Sequence, residues 1–204
     1  MSDLSRRDFF VQSGLYGGSL WMLLNARPRA VLAAQSSTRP EVLTAAQWKT
    51  VEAVTGRIIP TDHEPGAIEA HCVNFIDKAL AHEDAALKPV YVGGLASLDL
   101  AAKKQFDKPF VGLTAEQQDE LLAAVEAGKA GGWPAGGVPA PQFFAVVRMH
   151  TIVGFLADPK YGGNRDYAGW KVVGYPGGGH HLGGYSPAQM MGKEKIKTVW
   201  GDEV

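Results

Sequence analysis

Thr44-Ala45-Ala46-Gln47 and Thr114-Ala115-Glu116-Gln117 are two copies of one local device. In each, the threonine hydroxyl can accept the glutamine backbone amide, and the glutamine side chain can reach back to the threonine amide. Such a box starts a helix, and Leu43 and Trp48 flank the first one as a hydrophobic staple. Behind it Trp48, Val51, Val54 and Ile58 recur on one helical face until Pro60. Beyond Pro65, the spacing of Ile68, Cys72, Phe75, Ile76, Ala79 and Leu80 predicts a second helix with that face in the core. Asp84 is the expected cap of a third, with Leu87, Tyr91, Leu95 and Leu98 inward; Pro89 and Gly93-Gly94 predict a disturbed middle. The Thr114 box leads into Leu121, Leu122 and Val125. After a loop of breakers at 131–141, Pro141 opens a fifth helix with Phe143, Phe144, Val146, Val147, His150, Ile152 and Val153. No stretch alternates with period two long enough to argue a sheet. The expected fold is all-α: a small bundle of four or five helices followed by a long irregular C-terminal coil.

The N-terminus is an address rather than part of that bundle. Arg6-Arg7 is followed by Phe9-Phe10 and by an uncharged, glycine-broken run from Val11 to Leu24, too short for a membrane span. This order is that of a twin-arginine export signal, with cleavage expected after Ala33. An amphipathic N-terminal helix and a retained anchor are the alternatives. The chain thus divides into a signal at 1–33, a helical domain at 34–156, and a glycine- and aromatic-rich coil and tail at 157–204 that belong to the same domain. Removing the signal leaves 16 basic and 19 acidic residues. A balance this close to neutral excludes a nucleic-acid binder, which needs a basic excess. The single cysteine, Cys72, excludes an internal disulfide, and no Cys-x-x-Cys-His site for covalent haem occurs. Cys72 is either a buried thiol on an apolar helix face or, in an exported protein, a disulfide partner for another chain.

From Ala157 the pattern changes. Almost 30 residues carry turn formers throughout, yet include Tyr161, Tyr167, Trp170 and Tyr175. Disordered segments are poor in such rings, so these rings need a surface, either the protein's own bundle or a partner. The partner option places Tyr161, Gly162, Gly163, Asn164, Arg165, Trp170 and Tyr175 at an interface. It makes the stretch stable only against a second polypeptide. Arg165 and Asp166 could instead form a turn ion pair. Gly177-Gly178-Gly179 lacks the spacing and context of a dinucleotide fingerprint, and no phosphate loop or nucleophile elbow occurs. His63 and His71 do not share a metal-binding helical spacing, and His150 in an apolar helix reads as a satisfied core histidine. The expectation is therefore no catalytic, cofactor or metal residue in this chain.

Residues 150–176 read His-Thr-Ile-Val-Gly-Phe-Leu-Ala-Asp-Pro-Lys-Tyr-Gly-Gly-Asn-Arg-Asp-Tyr-Ala-Gly-Trp-Lys-Val-Val-Gly-Tyr-Pro. This segment closely resembles the signature of the gluconate 2-dehydrogenase subunit 3 family. Ile58-Ile59-Pro60-Thr61-Asp62 and Pro65-Gly66-Ala67-Ile68-Glu69 are similar to upstream parts of it. The resemblance implies a non-catalytic small subunit that carries the export signal for a large FAD-containing flavoprotein of the glucose–methanol–choline type. Such complexes oxidise a sugar, sugar acid or alcohol in the periplasm, often with a multihaem cytochrome c as a third subunit. The chain would meet the membrane only through that complex. Rival readings are a stand-alone periplasmic hydrolase or metal-dependent enzyme built on His150 or His180-His181, and a ligand-binding domain whose aromatic coil lines a pocket.

Overall fold

The computed structural model describes residues 40–177 and 184–201. The export-signal residues Arg6, Arg7, Phe9 and Phe10, the cleavage position at Ala33 and the His180-His181 pair lie outside the described residues. The helices and the segment after them belong to one unit, 34–204.

Both threonine boxes close as their spacing demands. Gln47 N donates to Thr44 Oγ1 at 3.2 Å and Thr44 N to Gln47 Oε1 at 2.9 Å. The Thr114–Gln117 pair repeats this at 3.3 and 3.1 Å. They open α1 (Ala45–Ile58) and α4 (Ala115–Glu126). Between them run α2 (Cys72–Ala81) and α3 (Lys88–Phe106), and α5 (Ala140–Leu156) follows. Two short helices come after, α6 (Ala168–Val173) and α7 (Pro187–Met190). No β-strand occurs among the described residues. The all-α expectation holds, with five helices of substantial length.

α5 is the axis of the bundle. It packs most extensively on α2, and also on α4, α1 and α3. Ile76 and Leu80 from α2, Tyr91 and Leu98 from α3, Leu121 and Val125 from α4, and Phe143 and Phe155 from α5 are fully enclosed. Each such side chain contributes about 1.5–3 kcal/mol by leaving water.

Three local expectations change. Pro89 sits in the first turn of α3, where its missing N–H has no helical partner to lose, so the helix is not kinked there. The Gly93-Gly94 pair has a tertiary reason: a Cβ on Gly94 would lie 2.1 Å from Phe143 Cδ2 of α5. Asp84 caps no helix through its side chain, which turns toward His150 instead. Ile68 lies in a turn before α2 and is exposed, because the helix begins only at Cys72.

Asp77 was not marked by the hydrophobic pattern. Its buried carboxylate accepts from the amides of Glu41 (2.6 Å), Val42 (3.1 Å) and Leu43 (2.7 Å). It thereby anchors the chain where it enters the bundle.

Candidate functional site

The segment after α5 is not an open coil. It folds back over the C-terminal end of α5 and the N-terminal end of α2, and Asn164 organises it. The Asn164 backbone amide donates to Gly154 O at 2.7 Å, and its Nδ2 donates to Ala157 O at 2.8 Å. Its Oδ1 accepts from Gly169 N at 2.8 Å and from Trp170 N at 3.4 Å. One buried side chain thus closes α5 and starts α6. The neighbouring residues extend the stitching to α2. Arg165 N donates to Ala70 O at 3.1 Å, and Asn74 Nδ2 donates to Gly162 O at 2.6 Å.

The backbones approach closely enough to demand glycine. A Cβ on Gly163 would lie 2.2 Å from Gly154 O, and one on Gly169 would lie 1.8 Å from Phe155 O. The turn also holds three non-glycine residues in the left-handed region: Asn164 (φ 46), Asp166 (φ 54) and Tyr167 (φ 59). Each costs on the order of 1 kcal/mol, and such strain persists only where surrounding contacts over-determine it. Here the Asn164 hydrogen bonds do so.

Rings cover the outside of this turn. Trp170 is 9% exposed and its Nε1 donates to Leu156 O at 2.6 Å. Tyr167 stacks on it at 5.5 Å and Tyr175 meets its edge at 5.0 Å. The tail returns to the same cluster. Trp200 packs on Tyr167 at 5.6 Å, Lys171 Nζ lies 5.5 Å over the Trp200 ring, and Val199 N donates to Pro176 O at 3.0 Å. Tyr185 Oη donates to Gly177 O.

The seven residues expected at an interface therefore separate. Gly163, Asn164 and Trp170 are buried within the subunit. Gly162 and Tyr161 are half-buried; Tyr161 packs against the core and lies under Lys160 Nζ at 5.1 Å. Arg165 and Tyr175 face outward. A stretch that folds only against a second polypeptide is not what the contacts describe, since α2 and α5 already enclose its central residues. Trp170→Ala accordingly probes folding of the subunit rather than a contact with a partner.

Arg165 makes the turn ion pair with Asp166 and a second contact within the subunit, to His71. Its Nε lies 3.4 Å from Asp166 Oδ2, and its Nη1 lies 2.6 Å from His71 Nε2. Burial first, and the Arg165 guanidinium second, hold the His71 imidazole below its ordinary range, so the neutral ring accepts from Arg165. His71, itself left-handed at φ 55, and Asn74 were not singled out by periodicity, because their roles are set by a segment some ninety positions away.

The residues weighed for chemistry are enclosed. His150 is 2% exposed; its Nδ1 lies 3.0 Å from Tyr91 Oη, and its Nε2 lies 3.3 Å from Asp84 Oδ2 but off the line of a good hydrogen bond. Burial, and secondarily the Asp84 charge, push the Tyr91 phenol far up. The arrangement ties α3 and α5 together in the core. Cys72 is fully buried, with Sγ 3.5 Å from Thr151 O, and burial pushes its thiol up. A disulfide to another chain would require α2 to leave α5. His63 Nδ1 lies 3.2 Å from Asp62 Oδ1, which also accepts from Glu64 N at 2.8 Å. Among the described residues no three His, Cys, Asp or Glu converge as a metal site. An open cleft of about 340 Å³ is lined by Gly174, Pro176 and residues of the 189–196 stretch, not by the aromatic cluster.

Among known protein families, gluconate 2-dehydrogenase subunit 3 matches residues 45–177, well over half of the chain. The chain belongs to the gluconate 2-dehydrogenase subunit 3 family. No curated protein and no solved structure matches it. The subunit 3 match opens at the first residue of α1 and closes at Gly177. It therefore contains the bundle, the Asn164 turn and the rings up to Tyr175, while the tail at 184–201 lies beyond it. Membership makes the chain an accessory subunit of a dehydrogenase complex, associated with a larger catalytic subunit. No described helix is long and apolar enough to cross a membrane.

Proposed function

We propose that this chain is the non-catalytic small subunit of a gluconate 2-dehydrogenase-like flavoprotein complex. It binds, co-exports and stabilises a large FAD-containing subunit of the glucose–methanol–choline type, which oxidises a sugar, sugar acid or alcohol in the periplasm. The flavin belongs to that partner, and haem c to a third subunit where one is present. The reading is carried by the Asn164 turn. Strained backbone, two glycine approaches and a buried asparagine are used to hold Arg165 and Tyr175 in fixed outward positions within the part shared with the family. A rigid, pre-formed surface lowers the ordering cost of association. The Arg6-Arg7 signal supports export of the folded pair by the twin-arginine route, the escort contributing the signal.

The test is co-expression of the tagged full chain with the flavoprotein from the same source. The expected eluate from the periplasm holds both subunits and shows a flavin spectrum. Arg6→Lys/Arg7→Lys should leave both subunits in the cytoplasm. Export of the flavoprotein with this chain deleted, or elution of the tagged chain alone, would overturn the proposal.

A further inference from the structure

The side chain of Arg165 is not needed to hold the turn it sits in. Its backbone amide is tied to Ala70 O at 3.1 Å, and the preceding Asn164 closes the turn onto Ala157 O and Gly169 N. The guanidinium is 56% exposed. Its contact with Asp166 is long, at 3.4 Å, and engages one oxygen of a carboxylate that is 84% exposed, so it contributes little. The short contact is the other one, from Nη1 to His71 Nε2 at 2.6 Å. A neutral imidazole orients the guanidinium without cancelling its charge. Nη2 meets no acceptor among the described residues.

Backbone strain stands on both sides of this contact. Arg165 lies between Asn164 (φ 46) and Asp166 (φ 54), and His71 is at φ 55 just ahead of α2. Left-handed residues on two segments, meeting at one exposed side-chain contact, point to a use for that contact beyond folding. Both segments lie within residues 45–177, the part shared with the family.

We propose that Arg165 grips a carboxylate of the catalytic subunit, and that His71 is the positioning residue that aims it, holding it while the ring is neutral and releasing it when the ring takes up a proton. The inference rests on the reading of the chain as that subunit's escort, and names one contact and its regulation. A planar guanidinium with an unspent edge takes a carboxylate bidentately. An arginine already aimed loses less freedom on binding than a loose one. The release follows from counting donors. Neutral His71 offers a lone pair at Nε2, whereas an imidazolium offers only N–H groups, so donor would face donor and positive charge would face positive charge. The other charged groups acting on the ring are Asp166 in the turn and Glu52 on α1, both acidic. They receive the protonated ring, and Asp166 is drawn from Arg165 as it turns to His71. Burial and the Arg165 charge hold the ring's midpoint below the ordinary histidine range, so the fold favours the neutral ring. The contact is therefore complete above about pH 6.5 and is lost as the pH falls through the lowered midpoint.

The experiment titrates the purified full chain with the flavin subunit at pH 7.5 and at pH 5.5, beside Arg165→Gln, His71→Ala and His71→Gln, with circular dichroism as the check on folding. Arg165→Gln should weaken the complex about tenfold or more at pH 7.5. The wild-type complex should weaken about fivefold or more at the lower pH. His71→Ala should lose part of the affinity at pH 7.5. His71→Gln, whose side-chain oxygen can accept in place of Nε2, should recover most of that loss and show no such fall with pH. In the free chain, the midpoint of the His71 ring followed by NMR should rise in Arg165→Gln. Undiminished binding by Arg165→Gln, an equal fall with pH in the wild type and His71→Gln, or a His71 midpoint indifferent to Arg165 would each overturn the proposal and leave the escort function standing. No binding by the wild type at pH 7.5 would overturn both.

Discussion

Asn164→Ala is expected to lower the unfolding free energy by about 4 kcal/mol. The side chain satisfies Ala157 O, Gly169 N and Trp170 N at once, inside the protein. Removing it orphans three backbone groups, each costing roughly 1–3 kcal/mol when it cannot reach water. Alanine also holds the left-handed conformation less readily than asparagine, which adds about 1 kcal/mol. Asn164→Gly relieves that second cost but not the first, and should lose about 3 kcal/mol. Asn164→Asp keeps the acceptor for Gly169 but faces Ala157 O with a carboxylate, so it should behave like the alanine variant. Urea denaturation of the three variants checks the order. A loss below about 1 kcal/mol for alanine would mean that the turn is held by something other than Asn164.

Gly169→Ala should be as damaging for a different reason. Its Cβ would arrive 1.8 Å from Phe155 O, where a carbon–oxygen contact needs about 3 Å or more. Neither side can yield cheaply. Phe155 is a core residue at the end of α5, and Gly169 N is held by Asn164 Oδ1. Displacing α6 by more than an ångström would pull Trp170 Nε1 from Leu156 O and disturb the Tyr167 and Tyr175 rings packed on it. The expected cost is at least about 3 kcal/mol, at the upper end for overpacking. Gly131→Ala is the control, since nothing lies within 4 Å of a Cβ there. It should stay within about 0.5 kcal/mol of the parent. Thermal unfolding of the pair separates the clash from any general intolerance of glycine replacement.

How much of this was legible depended on the range of the interaction. The helix starts at Thr44 and Thr114 could be read because a capping box is complete within four residues. The same signal at Ser186-Pro187-Ala188-Gln189 marks α7, which spans only four residues and lies in glycine-rich surroundings with no apolar period behind it. Gly93-Gly94 read as a disturbance because its explanation, the Phe143 ring, lies fifty positions downstream. Asp77 looked like an ordinary polar position beside an apolar stripe, since its three amide partners come from another part of the chain.

The signature at 157–177 shows the same division most clearly. Its composition announced ordered rings without a regular period, and its motif announced the family. Which surface the rings cover was a tertiary question. Gly163 against Gly154 O and Gly169 against Phe155 O answer it, and neither approach leaves a mark on periodicity. The outward residues that remain, Arg165 and Tyr175, were among the seven expected at an interface. The tail beyond Gly177 lies outside the family match, and its local signal is the Ser186 box.

Hydrogen exchange followed by mass spectrometry, on the full chain alone and then in complex with its flavin subunit, bears most directly on a signature that stands on its own subunit. In the free chain, peptides covering Asn164, Arg165, Gly169 and Trp170 should already exchange as slowly as those of α5, and binding should leave that protection in place. Fast exchange at 164–170 in the free chain, slowed only when the flavoprotein is present, would contradict the account.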